Sequence, residues 1–391
     1  MRILHVIDGI DVGGAELVLA QIIEHLQRDG HHNTVLVLTH GGPIGDRMRT
    51  AGATVVEMGS PRGRLPVSAV GRMAAQVRKA DPDLIQGWMY HGNLAALILR
   101  VASRVRSPLV WSMHNTLEPF PEMGALTRGA LVANRLFAGA AAGIVYVSEA
   151  AARQHEHRGF RPDRTRVIPN GTDCQLFGPR PEERAWLRQS LGVPEGVPLV
   201  GTFARWATMK GHGNLFAAVS RLKASGVAMH LVLAGSGTTP DNPELAAGLR
   251  AAGLTSGCSC LGVRHDVPRL MAGLDAFVLP SVHGEAFPLV LGEAMATEVP
   301  CIATDVGDAR LILGSTGEVV PPGDVEALAS ALGRLLALPP EQRDQIGTDG
   351  RDRVMSRFSL ETMGRAYESL YRSVIDGSGV ERSRTDAARS S

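Results

Sequence analysis

Two short stretches of this chain carry residues whose types and spacing could do chemistry. The first is His283-Gly284-Glu285-Ala286-Phe287-Pro288-Leu289-Val290-Leu291-Gly292-Glu293-Ala294-Met295-Ala296, with two carboxylates eight positions apart. It follows an apolar run over 275–280 that reads as a buried strand. Pro288 suits the first position of a helix, where its missing N–H has no intrahelical partner. Glu285 then lies in the loop and Glu293 on the second helical turn. Between them, free backbone N–H groups and the positive end of the helix dipole make an anion site. The flanking carboxylates can hold hydroxyls but not phosphate. The segment therefore reads as a pocket for a nucleotide sugar, with its negative middle and polyhydroxy ends. The second stretch is Arg205-x4-Lys210-Gly211, at the end of a predicted strand. Two cations beside a glycine turn can neutralise a diphosphate from two directions, the arginine bidentately and the lysine as a point charge.

Glu285-x7-Glu293, with its Phe-Pro-Leu-Val interior and Ala-Met-Ala ending, resembles the retaining glycosyltransferases of family 4 (group 1). That family has the GT-B fold, an α/β architecture of two Rossmann-like doubly wound parallel-sheet domains facing each other across a cleft. Arg205-x4-Lys210-Gly211 is similar to the family's Gly-Arg-x4-Lys-Gly, with Ala204 in place of the first glycine. Val-Ile-Pro-Asn-Gly-Thr-Asp, ending at Asp173, matches a common family sentence at the domain junction. Thr297 and Glu298 stand where the family often writes Cys-Gly.

The resemblance implies transfer of a sugar from a nucleoside-diphosphate sugar, UDP-hexose being the prior, to an acceptor hydroxyl. It implies a catalytic set of His114, Glu285, Arg205 and Lys210. Arg205, Lys210 and the helix start stabilise the leaving phosphates by electrostatic preorganisation, which needs no metal and no cofactor. Glu293 holds the ribose hydroxyls and Glu285 the donor sugar. Ala286, Phe287, Leu289 and Val290 complete the donor side, with Val263 and Arg264 at the nucleobase. Gly13 and Gly14 face the donor phosphates and the acceptor, and His114 faces the donor sugar. Retention of anomeric configuration comes from the resemblance alone; no second carboxylate is identifiable as a glycosidase-like nucleophile.

The elements that must position these groups alternate between strand and helix. A strand over 3–7, the glycine turn Asp11-Val12-Gly13-Gly14-Ala15-Glu16, a helix over 17–26 and a strand over 32–39 begin a doubly wound sheet. Read alone, Gly13-Gly14 is a tight turn needing positive φ; the family resemblance gives it the ligand-facing role. Strands end at Trp88-Met89-Tyr90-His91 and at Met113-His114-Asn115, and ligands of open α/β sheets bind at such C-terminal ends. Trp88, Tyr90, His91 and Asn115 are the acceptor candidates, in an aromatic cleft near Trp88, Tyr90, Trp111 and Phe120. A loop with Pro119 and Pro121 could line it. A helix over 126–138, with Arg128 and Arg135 among Leu131, Val132, Leu136 and Phe137, could touch anionic lipid; a solvated face is the plainer alternative. The divisions expected are 1–173 for the acceptor-side domain, 174–198 for a connection and 199–357 for the donor domain. A C-terminal helix over 358–376 then crosses back, and a disordered tail spans 377–391.

With 391 residues the chain is long enough for two sizeable cores, and a net charge of +1 draws in no nucleic acid. The first apolar run is too short for a signal peptide, and no run of about 18 apolar residues spans a membrane. Four cysteines without metal-ligand spacing fit a reduced cytoplasmic setting. The expected location is cytoplasmic, with peripheral contact at the inner membrane. The expected acceptor is a lipid-linked or soluble sugar in bacterial exopolysaccharide, O-antigen or other cell-surface glycan synthesis. Asp81-Pro82-Asp83 has the spacing of a metal-binding Asp-x-Asp but precedes a strand instead of ending one. Gly-x-Gly-x-x-Gly is absent, which counts against a dinucleotide oxidoreductase, and no pyridoxal-lysine motif favours a phosphorylase. An epimerase of the same fold and a non-catalytic sugar-binding protein are the remaining alternatives.

Overall fold

The computed structural model describes residues 1–11, 13–61, 63, 66–117 and 123–377. Expectations for Val12, for the loop with Pro119, Phe120 and Pro121, and for residues 378–391 lie outside the described residues. The chain divides into two units, one of Met1–Gly171 with Leu360–Ser391 and the other Thr172–Ser359.

The first unit holds seven strands: β1 (Arg2–Ile7), β2 (His32–Val37), β3 (Thr54–Glu57), β4 (Leu84–Trp88), β5 (Leu109–Met113), β6 (Gly143–Tyr146) and β7 (Thr165–Val167). They pair in parallel in the order β3-β2-β1-β4-β5-β6-β7. Alternation along β1 sends Leu4 and Val6 into one core and Ile3 and Ile7 into the other, as the period of two along a strand requires. The helix Gly14–Arg28 covers the second face, and the last helix, Leu360–Ile375, packs on it. Tyr367 and Tyr371 are fully buried there.

The second unit holds six strands, β8 (Leu199–Phe203), β9 (His230–Ala234), β10 (Cys258–Cys260), β11 (Ala276–Leu279), β12 (Cys301–Thr304) and β13 (Gly317–Val320). Their order is β10-β9-β8-β11-β12-β13, again parallel. In each sheet the order reverses once, between β1 and β4 and between β8 and β11. A ligand crevice opens outside the strand ends at such a reversal, because the two chains leave in opposite directions.

Ser148 caps the helix Glu149–His157, accepting from Ala151 N–H, and Asp324 caps Val325–Ala337 through Ala327 N–H. Four elements come in addition to those expected: the helices Pro43–Thr50, Pro243–Ala251 and Ala309–Leu313, and β7. The Asp81-Pro82-Asp83 pair faces Arg2, which donates to Asp83 at 2.8 Å and also bonds Asp81. Trp111 is corrected from cleft to core. It is fully buried at the centre of β5, where the hydrophobic cluster encloses its ring.

Candidate active site

In the second unit the crevice is built from the ends of β8 and β11. After β8 the chain passes Arg205 and makes a short turn at Thr208–Lys210, ending at Gly211 with φ +68°. A Cβ on Gly211 would lie 1.9 Å from the carbonyl oxygen of Pro280, so only glycine lets this turn sit against the exit of β11. Val282 N–H donates to Met209 O at 2.7 Å and fastens the two segments. Lys210 Nζ then reaches Glu285 Oε1 at 2.6 Å, and Ser281 Oγ donates to the same oxygen at 2.7 Å. Gly307, at φ +56°, would bring a Cβ within 2.5 Å of the carbonyls of Glu285 and Ala286, and Asp308 N–H donates to Ala286 O at 3.0 Å. The Glu285–Ala286 backbone is thus held from both sides. Arg205 is exposed, with its guanidinium 3.6 Å from Met209 Sδ.

The helix begins one residue later than expected. It runs Leu289–Ala296, and Pro288 is its N-cap in an extended conformation, with no side-chain cap bond. Its first N–H groups are therefore open, beside the partly exposed Leu289 and Val290. Phe287 is corrected as a donor contact. Its ring is buried edge-on against Phe358 at 5.6 Å, which anchors the loop and leaves only its backbone for a ligand. Glu293 lies on the second turn, and no hydrogen bond or ion pair to its carboxyl is found among the described residues. Burial pushes its carboxyl up to about 7. A carboxyl without a protein partner in such a place is suited to two donor hydroxyls. Val263 is exposed beyond β10, and Arg264 is engaged by Asp266 at 2.6–2.8 Å.

In the first unit a cavity of about 580 Å³ opens at the β1–β4 reversal. Of the expected residues, Gly14, Trp88, Tyr90, His91, His114 and Asn115 line it together. Four of their polar atoms are buried without a protein partner: His91 Nε2, both ring nitrogens of His114, and Asn115 Oδ1. Orphaned polar atoms are costly unless something hydrogen-bonds them, and four such atoms on residues lining one cavity make it a candidate ligand site. Neither Gly13 nor Gly14 has positive φ, so the tight-turn alternative falls away. A Cβ at Gly14 would meet nothing within 4 Å, whereas one at Gly13 would strike the Glu16 carboxylate at 2.2 Å. Gly14 thus leaves open space in front of the uncapped start of its helix.

Trp88 and Tyr90 line the cavity as buried walls. Trp88 is fully buried and its ring stacks behind His114, with centroids 4.9 Å apart. Its Nε1–H donates to His5 Nδ1 at 3.2 Å, and His5 Nε2 in turn faces Asn33 Oδ1 at 3.1 Å. Tyr90 O–H meets His155 Nε2 at 2.8 Å; His155 Nδ1 bonds the Ala151 carbonyl, so Nε2 is the acceptor. Desolvation lowers His114 to about 3, and the ring stays neutral. Met89 holds φ +59°, left-handed for a non-glycine, and its Sδ accepts from His114 N–H at 3.4 Å.

The cavity also takes Glu16 and Met89, which lie in the glycine turn and the strand end already singled out, and Asp8, Gly9, Gly63, Leu126 and Thr127, which sequence reasoning did not place there. Asp8 and Gly9 follow β1 directly, so their position beside the glycine turn was the available signal. No sequence signal marks Gly63.

Among the described residues, no helix is long and apolar enough to cross a membrane. The sequence model of glycosyltransferase family 4 matches residues 12–176, and that of the group 1 glycosyl transferases matches 194–338. The 2-deoxystreptamine N-acetyl-D-glucosaminyltransferase of Streptomyces fradiae is 28% identical over 393 residues, covering 94% of this chain and 93% of its own. The lipopolysaccharide core biosynthesis mannosyltransferase LpsB of Rhizobium meliloti is 29% identical over 54% of this chain and 61% of its own. The crystal structure of Anabaena Alr3699/HepE in complex with UDP superimposes with a TM-score of 0.82 at 25% identity, covering 95% of this chain and all of that one. The same protein has been solved with UDP-glucose.

Proposed function

The chain belongs to glycosyltransferase family 4, with the GT-B fold, and is a glycosyltransferase; from that premise we propose that it moves a hexose from a UDP-sugar to an acceptor hydroxyl with retention of configuration. One observation carries the donor half. A single segment presents the Lys210-bound Glu285, an uncapped helix start and the unpartnered Glu293. Arg205, Lys210 and the helix start take up the charge that grows on the leaving diphosphate. Glu293 receives the ribose hydroxyls, Glu285 faces the donor sugar and opposes the cationic transition state, and Val263 and Arg264 flank the base. The two side-chain cations do the work a metal would otherwise do, so turnover in EDTA is expected to match turnover with added magnesium. UDP as the base draws its support from the HepE complexes.

The cavity of the first unit holds the acceptor, with His114 as a neutral hydrogen-bonding group at the donor sugar. The acceptor is a lipid-linked sugar of cell-surface glycan assembly, and the chain acts in the cytoplasm at the inner membrane. LpsB, named for lipopolysaccharide core biosynthesis, supports that reading, as does the apolar exposed face of the helix Ala125–Phe137. A second reading, a soluble acceptor, is favoured by the nearly full-length likeness to the Streptomyces enzyme, whose name gives 2-deoxystreptamine. A thermal-shift panel of nucleotide sugars tests the donor, since binding stabilises the native state with the logarithm of saturation. UDP release with membrane-fraction or soluble acceptors then separates the two readings, and NMR of the product's anomeric proton tests retention. Absence of any shift with UDP or UDP-glucose would overturn the donor assignment.

A further inference from the structure

We propose that the first-unit cavity selects its acceptor by charge: the unit that enters bears hydroxyl or amine groups and no phosphate or carboxylate. This rests on reading that cavity as the acceptor site. Its described walls contain two carboxylates, Asp8 and Glu16, and no lysine or arginine is among them. The imidazole of His114 adds no positive charge, because burial holds it neutral. An anionic acceptor would therefore bring like charge against carboxylates in a partly desolvated space, where repulsion is stronger than in water.

The orphaned atoms favour the same class. Asn115 Oδ1 is an acceptor only, and the neutral His114 ring offers one acceptor and one donor nitrogen. Hydroxyls, which both donate and accept, satisfy that set; a phosphate dianion, which only accepts, cannot. Asp8 is the fixed element. Gly63 N–H donates to its two oxygens at 3.1 and 3.2 Å, and Thr39 Oγ1 donates to its carbonyl at 2.8 Å. The carboxylate has about four lone-pair sites, so those not facing Gly63 remain for a hydroxyl or ammonium of the acceptor. Glu16 folds back toward the start of its own helix, beside Gly13, and sets the sign of the field more than it makes contacts.

The test uses the full chain saturated with UDP and three probes: methyl α-glucopyranoside, 2-deoxystreptamine and glucose 6-phosphate. Dissociation constants are read by ligand-observed NMR. The neutral and cationic probes are expected to bind, and 2-deoxystreptamine at least about tenfold tighter than glucose 6-phosphate. Asp8→Asn is expected to weaken 2-deoxystreptamine about tenfold, a charge-assisted bond replaced by a neutral one, with little effect on the neutral probe. The thermal shift by UDP, read in parallel, reports an intact fold. Tighter binding of glucose 6-phosphate would overturn the charge rule while leaving the acceptor reading in place. It would point to Arg62 and Arg64, which flank Gly63 in the chain and lie outside the described residues. An undiminished preference in Asp8→Asn would overturn the role of Asp8. Binding of none of the three, with UDP still bound, would remove the acceptor reading itself.

Discussion

Lys210 and Glu285, 75 residues apart in the chain, meet in a hydrogen-bonded ion pair of 2.6 Å with both side chains largely buried. Removing either partner strands the other charge, and each variant also loses a group proposed to act on the donor. Lys210→Ala and Glu285→Ala are each expected to lower kcat about 10²- to 10³-fold. Because the two act as one unit, the double variant should lose less than the product of the single losses. UDP release with UDP-glucose and acceptor measures all four proteins. Losses that multiply would show that the pair is not a functional unit.

Glu293 is expected to make donor binding pH-dependent. Its folded carboxyl titrates at about 7 against 4.5 for the free group, because burial disfavours the charge. The folded protein keeps this proton to higher pH than the unfolded chain. The associated stability is therefore fully present below about 4.5 and lost as pH rises through about 7, a cost of about 3 kcal/mol at pH 8. Glu293→Gln is thus expected to melt higher than wild type at pH 8 and near wild type at pH 5. The same variant should bind UDP more weakly at pH 8, where ribose hydroxyls donate to the ionised carboxylate. Wild-type affinity for UDP should fall as pH drops below 7. A pH-independent UDP affinity, unchanged by the substitution, would remove Glu293 from the ribose.

Much of the proposed donor site is local in sequence. Arg205 and Lys210 sit within one strand-end turn, and Glu285, the helix start and Glu293 within one loop and helix. What could not be read was what the sheet order brings together. Nothing in the sequence says that β8 and β11 are neighbours, so the Lys210–Glu285 bond was hidden, as was the place of Gly63 beside Asp8. Trp111 misled because an aromatic within a strand reads the same whether it faces a crevice or the core. The helix Pro243–Ala251 went unread although Asn242 accepts from Glu244 and Leu245 N–H as its cap, a signal of Asn-Pro spacing that was present. Three-residue β7 is too short to show any periodicity.

Glu298 stands where the family often has glycine, and it adopts φ +62°. A left-handed conformation costs a side-chain-bearing residue about 1–2 kcal/mol, partly offset in glycine by its larger unfolded-state entropy. Glu298→Gly is therefore expected to stabilise by up to about 1 kcal/mol. Transfer activity should stay at the wild-type level. Thermal denaturation checks it; a lower melting temperature would mean that the Glu298 side chain makes contacts that outweigh the strain.

Gly14 separates stability from function. A Cβ there meets no atom within 4 Å, and the residue opens a helix. Gly14→Ala should leave stability unchanged or raise it by about 0.5–1 kcal/mol, as alanine is the better helix former. The added methyl projects toward the cavity, and a small misplacement of the acceptor lowers transfer at least about tenfold. Gly92→Ala supplies the contrast: its Cβ would lie 2.6 Å from the Val6 carbonyl, inside the core packing, so melting temperature and activity should fall together. Equal activity in Gly14→Ala and wild type would place the acceptor elsewhere.

The helix Ala125–Phe137 supplies the test of membrane contact. Leu126, Val132, Leu136 and Phe137 are 56, 43, 71 and 54% exposed, and Arg128 and Arg135 lie on the same helix. An amphipathic helix with exposed apolar side chains and arginines can bury them at the surface of an anionic bilayer. Leu126 also lines the cavity, so a lipid-borne acceptor would arrive beside its binding site. The chain should co-sediment with phosphatidylglycerol vesicles more than with phosphatidylcholine vesicles, and less at high salt. Leu136→Asp with Phe137→Asp should weaken the association about tenfold or more, since each side chain contributes roughly 1.5–3 kcal/mol when fully buried. The UDP-induced thermal shift should survive both substitutions, which separates lost membrane contact from lost folding. Equal sedimentation of the variant and the wild type would return this helix to the plainer role of a solvated face, and would favour a soluble acceptor.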